Sequence, residues 1–125
     1  MTEAEKSRLD EYTAKFNAAF PDFVMSGAVA SDTYGAPTDL IRIDVVDGGK
    51  YSREKFWAHV DFSAEILLCQ PGWDECLDRV IRPTLNGLVS YWFGRVNSMK
   101  VGDAMRAADA DVSAMLGDAR ASAPA

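Results

Sequence analysis

The stretch DECLDRVIRPTLNGLVSYWFGRVN, residues 74–97, decides the fold because it is the longest amphipathic helical pattern in the chain. Apolar side chains recur along it at three- and four-residue steps, as on the buried face of a helix. They are Leu77, Ile81, Leu85, Leu88, Trp92 and Val96. This stripe predicts the core helix of a globular domain. Pro83 lacks an amide donor and clashes with the carbonyl four residues back, so we also expect a kink, or two helices, near Arg82.

The opposite side of the same stretch is polar and positively charged. From Arg79 to Gly102 there are four basic residues and no acidic one, in a chain with a net charge of -6. Three roles fit these cations: ion pairs with neighbouring elements, a protein-binding patch with Phe93 or Tyr91, or nucleic-acid binding. Four charges along one helix make a poor footprint for nucleic acid. The sequence therefore predicts a protein-binding site formed by Arg79, Arg82, Asn86 and Phe93.

The N-terminal segment has the signals of a second amphipathic helix. Thr2 and Glu5 have the spacing of a capping box, and Pro21 ends the pattern. The apolar stripe of this helix repeats at three and four residues: Leu9, Tyr12, Phe16 and Phe20. We expect the stripe to pack into the core rather than to form a ligand site.

The segment between these two helices contains a strand pattern. LIRIDVV, residues 40–46, alternates apolar and polar side chains, and residues 23–30 are its expected partner in a hairpin. A two-stranded hairpin is marginal in water, so it must lie on helices or gain a third strand. Residues 52–69 fit two patterns. We favour a helix capped by Ser52, while the alternation over 55–62 offers a strand and a three-stranded meander.

A last helix is predicted from about Val101 to Leu116, with a narrow apolar seam of Val101, Met105, Ala108, Val112 and Met115. This seam suits packing on a neighbouring helix or, alternatively, on a second copy of the chain. The predicted fold is α+β and mostly helical, with about four helices around a long core helix and a small antiparallel hairpin or short sheet. We expect one domain over residues 1–118 and a disordered tail over 119–125.

The residues that carry chemistry are scattered. His59 is the only histidine, with Asp61 nearby but no paired ligand, and no phosphate-binding loop or nucleophile motif occurs. Cys69 and Cys76 have a spacing outside the zinc and redox patterns, so we expect two reduced thiols. We therefore predict no enzymatic activity, no cofactor and no metal site.

Composition and charge indicate a binding module. The chain has 125 residues, no membrane-length apolar run and no apolar leader, so we expect a cytoplasmic protein that does not bind membranes. We expect it to associate stoichiometrically with a larger macromolecular partner, as inhibitors, immunity-type proteins and accessory proteins do. One alternative is a phage virion or assembly component. Another is a small-ligand-binding protein or enzyme with a pocket near His59, in which Asp44 or Asp61 is the acid or base and the other lining residues are Tyr34, Trp57 and Trp92.

Overall fold

The computed structural model describes residues 2–31, 37–52 and 58–122. Along them the chain forms α1 (Glu3–Ala19), β1 (Phe23–Ser31), β2 (Pro37–Val45), β3 (His59–Ser63), α2 (Ala64–Leu68), α3 (Trp73–Cys76), a π-helical turn (Leu77–Ile81), α4 (Arg82–Val96) and α5 (Val101–Ala121). This arrangement is a mostly helical α+β domain, as the sequence predicts.

Helix α1 begins at the predicted capping box. The Thr2 hydroxyl accepts from the Glu5 amide at 3.1 Å, and the Glu5 carboxylate accepts from the Thr2 amide at 3.0 Å. Two orphan donors of the first turn are thereby satisfied. The predicted apolar stripe is confirmed, because Tyr12, Phe16 and Phe20 are all buried in the core.

In the described part of the chain, the strands form one antiparallel sheet with the order β1-β2-β3. Its inner face is apolar, and Ile41 and Ile43 of β2 are buried there. Its outer face is polar: the Arg42 guanidinium donates to both carboxylate oxygens of Asp61, at 2.7 and 3.0 Å. The alternation in LIRIDVV therefore placed both faces of β2 correctly.

The predicted helix over residues 52–69 is wrong for most of the residues that the structure describes there. His59–Ser63 forms β3, and the helical part is Ala64–Leu68, capped by the Ser63 hydroxyl on the Glu65 amide. Residues 53–57 lie outside the described residues. The strand alternative is confirmed, because Val60 lies opposite Ile43 of β2 and completes the inner face. The spacing of apolar residues in this segment fits both a helix and a strand, so pairing with β2 decides between them.

The predicted break near Arg82 is a π-helical turn. The Arg82 amide donates to the carbonyl of Leu77, five residues back, and α4 then begins with Pro83 in its first turn. A proline is tolerated at the start of a helix, where its missing amide costs little. The wide turn thus lets the apolar stripe continue through the proline, and Leu77, Ile81 and Leu85 are fully buried.

Helix α5 packs along α4 by a seam that shares Ala108 and Val112 with the predicted one but is otherwise shifted. The buried residues are Ala104, Ala108, Val112, Leu116 and Ala119. Val101 and Met105, which were expected in the seam, are 77% and 60% exposed. The helix also continues to Ala121, so residues 119–121 of the predicted tail are helical; residues 123–125 lie outside the description. Alanine is the best helix former, and its small side chain allows α5 to approach α4 closely.

The chain after β2 is fixed to the core by Tyr51. Its ring is buried, stacks on Phe23 at 5.2 Å and meets Trp92 edge-on at 5.2 Å. Its hydroxyl donates to the Asp111 carboxylate on α5 at 3.1 Å, and the Lys50 ammonium contacts the same oxygen at 3.1 Å. Burial, followed by the negative charge of Asp111, raises the pKa of Tyr51 to about 12.

Candidate protein-binding surface

Every fourth residue from position 79 to position 95 is exposed. These residues, which we call the α4 ridge, are Arg79, Pro83, Gly87, Tyr91 and Arg95. Tyr91 is 50% exposed, and the Arg95 guanidinium lies 5.9 Å from the centre of its ring. Arg79 projects from the π-helical turn at the other end. The ridge therefore presents an aromatic ring and a small-residue surface between two cations.

A groove borders the α4 ridge on each side. The β3 groove has a volume of about 540 Å³ and is lined by Ala58, His59, Val60, Pro83, Thr84, Gly87, Leu88 and Tyr91. The α5 groove has a volume of about 510 Å³ and is lined by Pro83, Asn86, Gly87, Ser90, Met105 and Asp109. The two grooves meet at Pro83 and Gly87. A Cβ atom added to Gly87 would meet nothing within 4 Å, so the middle of the ridge is open to an approaching chain.

Within the described residues, cations without a carboxylate partner cluster in the π-helical turn, on α4 and just after it. In the described residues, the cations with a carboxylate partner are Lys6, Lys15, Arg42, Lys50, Arg82, Arg106 and Arg120. The Arg8 guanidinium donates to the Gln70 carbonyl. Within the same described ranges, Arg79, Arg95 and Lys100 have neither kind of partner. All three belong to the acid-free segment that the sequence singled out.

The structure separates the four residues of the predicted binding site. Arg79 is exposed, but Arg82 turns towards α5, where it donates to the Ser113 hydroxyl at 3.1 Å and lies 3.6 Å from the Asp78 carboxylate. Asn86 is half-buried beside α5, and its Oδ1 is buried without a donor from the described residues.

The fourth predicted residue, Phe93, packs against the core with its ring 4.9 Å from that of Trp92. The helical projection had placed it on the solvent side with Arg82 and Asn86. Val89 explains the difference: it is fully buried, so the apolar stripe is wider than Leu85 and Leu88 indicate. Helix α5 lies along the side of α4 that carries Arg82 and Asn86, since Arg82 donates to Ser113 of α5 and Asn86 shares a groove with Met105 and Asp109.

Only part of the alternative ligand pocket lies within the described residues. His59 has a side chain that is 48% exposed at the edge of the β3 groove, with its Nε2 3.9 Å from Asp61. The hydrogen bonds from Arg42 lower the pKa of Asp61, which makes this carboxylate a weaker base. Trp92 instead packs in the core. Tyr34 and Trp57 lie outside the described residues.

Asp44, the other proposed acid or base, lies opposite His59 in the sheet register. Among residues 2–31, 37–52 and 58–122, no cluster of three histidine, cysteine or acidic side chains is placed to bind a metal ion. Within these ranges there is also no helix with the length and apolarity needed to cross a bilayer. Both cysteines are free thiols, with Cys69 exposed and Cys76 buried.

No family model, no curated protein and no solved structure matches this chain.

Proposed function

We propose that this protein is a binding module that associates stoichiometrically with a larger protein through the α4 ridge. The observation that carries the proposal is the pair of exposed arginines, Arg79 and Arg95, which have no acidic partner among the described residues and which flank the exposed ring of Tyr91. Arginine and tyrosine are over-represented among the residues that dominate the energy of protein interfaces. We place the association in the cytoplasm, where free thiols such as Cys69 stay reduced.

The chemistry of the α4 ridge favours an acidic partner surface. A carboxylate can pair with a guanidinium by two parallel hydrogen bonds, and neither Arg79 nor Arg95 makes such a pair within the described part of the chain. The protein as a whole has a net charge of -6, so its surface away from the α4 ridge would repel an acidic partner. Charge would therefore direct an acidic partner to α4 and set its orientation.

The same balance of charge favours a protein over nucleic acid. Binding to nucleic acid depends on neutralising several phosphates with clustered lysines and arginines. Here the cations of this region without a carboxylate partner among the described residues are three, Arg79, Arg95 and Lys100, and the chain as a whole is negatively charged. The small, largely apolar surface at Pro83 and Gly87 instead suits contact with another folded surface or peptide.

Photo-crosslinking at a single position tests the proposal. A photoreactive residue replaces Gly87 on the ridge in one variant and Gly117 on α5 in a control, since both glycines are exposed and helical with nothing within 4 Å of an added Cβ. We expect a protein adduct of defined mass, formed in cells of the source organism, from the Gly87 variant only. Equal adducts from both variants, or adducts with nucleic acid, would overturn the proposal.

Charge reversal then tests the role of the arginines. We expect the double variant Arg79→Glu/Arg95→Glu to reduce the yield of the Gly87 adduct by about tenfold or more. The control is Lys6→Glu/Arg106→Glu, which changes the net charge equally at two exposed cations that already have acidic partners on their own helices. If both double variants reduce the yield equally, net charge rather than the ridge controls the association.

A further inference from the structure

Within the described residues, the two edges of the sheet are protected unequally. On the outer edge of β1, the Asn17 side chain accepts from the Met25 amide at 2.8 Å and donates to the Met25 carbonyl at 3.1 Å. The carboxamide therefore occupies the place that a neighbouring strand would take. Such blocking is how proteins prevent an edge strand from pairing with another chain.

The outer edge of β3 has no such protection in the described residues. The Val45 amide donates to the Ala58 carbonyl at 3.5 Å. Together with the register, this bond shows which backbone groups of β3 point towards β2. Because successive residues alternate in an antiparallel ladder, the amides and carbonyls of His59 and Asp61 point away from β2. Within the described ranges of the chain, no hydrogen bond joins these four groups to another residue.

The β3 groove lies beside this open edge. Its α4 side contains Pro83 and Gly87, where little or no side chain blocks an approaching backbone. Its apolar surfaces include Val60 and Leu88, with the ring of Tyr91 at the α4 ridge. A strand added to β3 would thus have backbone partners on one side and apolar contacts for alternate side chains on the other.

We propose that the partner binds by adding an extended, acidic segment of about five residues as a new strand along β3. This inference rests on the proposed function, and it names the form of the segment that the α4 ridge recognises. Backbone hydrogen bonds to His59 and Asp61 hold the segment, and its carboxylates meet the uncompensated charge of Arg79 and Arg95.

Charge complementarity favours this segment over a second copy of the chain. A second copy paired through β3 would bring another cationic α4 ridge, and the carboxylate on its own β3, Asp61, is already paired with Arg42. Asp61 does not repel an acidic segment strongly, because the Arg42 guanidinium already neutralises it at 2.7 Å.

A displayed-peptide selection against the full chain tests the inference directly. The probe is a phage-displayed library of random peptides of about ten residues, long enough to cover β3 and its flanks. A selected peptide is then synthesised with a fluorescent label and titrated against each variant. We expect the selected peptides to be acidic, with alternating apolar residues, and to protect the His59 and Asp61 amides from hydrogen exchange.

Two substitutions at His59 separate the contribution of the backbone amide from that of the side chain. His59→Pro removes an amide that points away from β2, at an edge where proline is tolerated, and His59→Ala keeps that amide. We expect His59→Pro to weaken binding of the labelled peptide about tenfold or more and His59→Ala to change it less than about threefold. Circular dichroism checks that both variants remain folded.

The other outcomes distinguish this inference from the proposed function. Peptides that need Arg79 and Arg95 but tolerate His59→Pro and leave the amides unprotected would overturn strand addition and leave the α4 ridge in place. A Gly87 adduct in cells without any selected peptide would do the same. If the free protein is a dimer that His59→Pro dissociates, a second copy occupies β3 and the inference is wrong.

Discussion

At the scale of single residues, burial separates the two cysteines. Cys76 is fully buried, and burial raises the pKa of its thiol to about 12, whereas Cys69 is exposed. The thiolate is the reactive form, so both access and pKa protect Cys76. We expect a disulfide reagent at pH 8 to modify one thiol per native chain and two in denaturant. Rapid modification of two thiols in the native protein would contradict the core position of Cys76.

Asn17 allows a second test at this scale, because one side chain satisfies both outward backbone groups of Met25. Asn17→Ala leaves these partly buried groups without a partner, which costs about 1–3 kcal/mol of unfolding free energy. Alanine also raises helix propensity in α1, and the control Asp10→Ala measures that gain at an exposed position of the same helix. Urea unfolding gives both values. Equal stability of the two variants would show that Asn17 does not protect the edge.

At the scale of elements, the sequence predicts a helix or a strand correctly where its local pattern fits only one of the two. The capping box at Thr2 and the alternation around Ile41 and Ile43 are of this kind. Residues 59–63 are not, because their apolar positions fit both a helix and a strand. Pairing with β2 decides between the two, and the sequence contains no local record of that partner.

The candidate surface was predictable only in part for a similar reason. The charge of Arg79 predicts its exposure correctly. The predicted apolar stripe does not include Val89, and it therefore assigns Arg82 and Asn86 to the solvent-exposed side of α4. Arg95 was missed as a site residue, although the four-residue spacing from Arg79 to Arg95 is visible in the sequence. Which side α5 covers depends on the packing of two helices and not on either helix alone.

The attachment of the β2 end to α5 gives a prediction about pH. Because the pKa of Tyr51 is raised in the folded protein, its contribution to stability is complete below about pH 10 and is lost as the pH rises through about 12. We expect the unfolding free energy to fall more steeply over this range in the wild type than in Tyr51→Phe. Lys50 titrates in both proteins, but Tyr51 contributes to the rise in its pKa, so the difference in slope reports the loss of the Tyr51 phenol together with its effect on Lys50. Equal slopes would mean that the phenol is not buried.

At the scale of the whole molecule, the fold distributes charge unevenly. Ion pairs join separate elements, as where Arg120 of α5 donates to Asp78 in the π-helical turn at 2.6 Å, and they lower the pKa of Asp78. Exposed pairs of this kind contribute little stability each. Their larger effect is to neutralise most cations within the described residues. Those left without a carboxylate are Arg8, which donates to a backbone carbonyl, and the group Arg79, Arg95 and Lys100.

The packing of α5 on α4 leads to a prediction for the whole molecule, because α5 is either part of this core or a means of self-association. Leu116 is fully buried in the observed seam, so Leu116→Ala should cost about 2–5 kcal/mol of unfolding free energy. Met105 was expected in the seam but is 60% exposed, and Met105→Ala should cost less than about 0.5 kcal/mol. Unfolding by denaturant at several protein concentrations measures both. If Met105→Ala is the costlier change and the midpoint rises with concentration, α5 pairs with a second copy of the chain, because only an intermolecular contact responds to concentration.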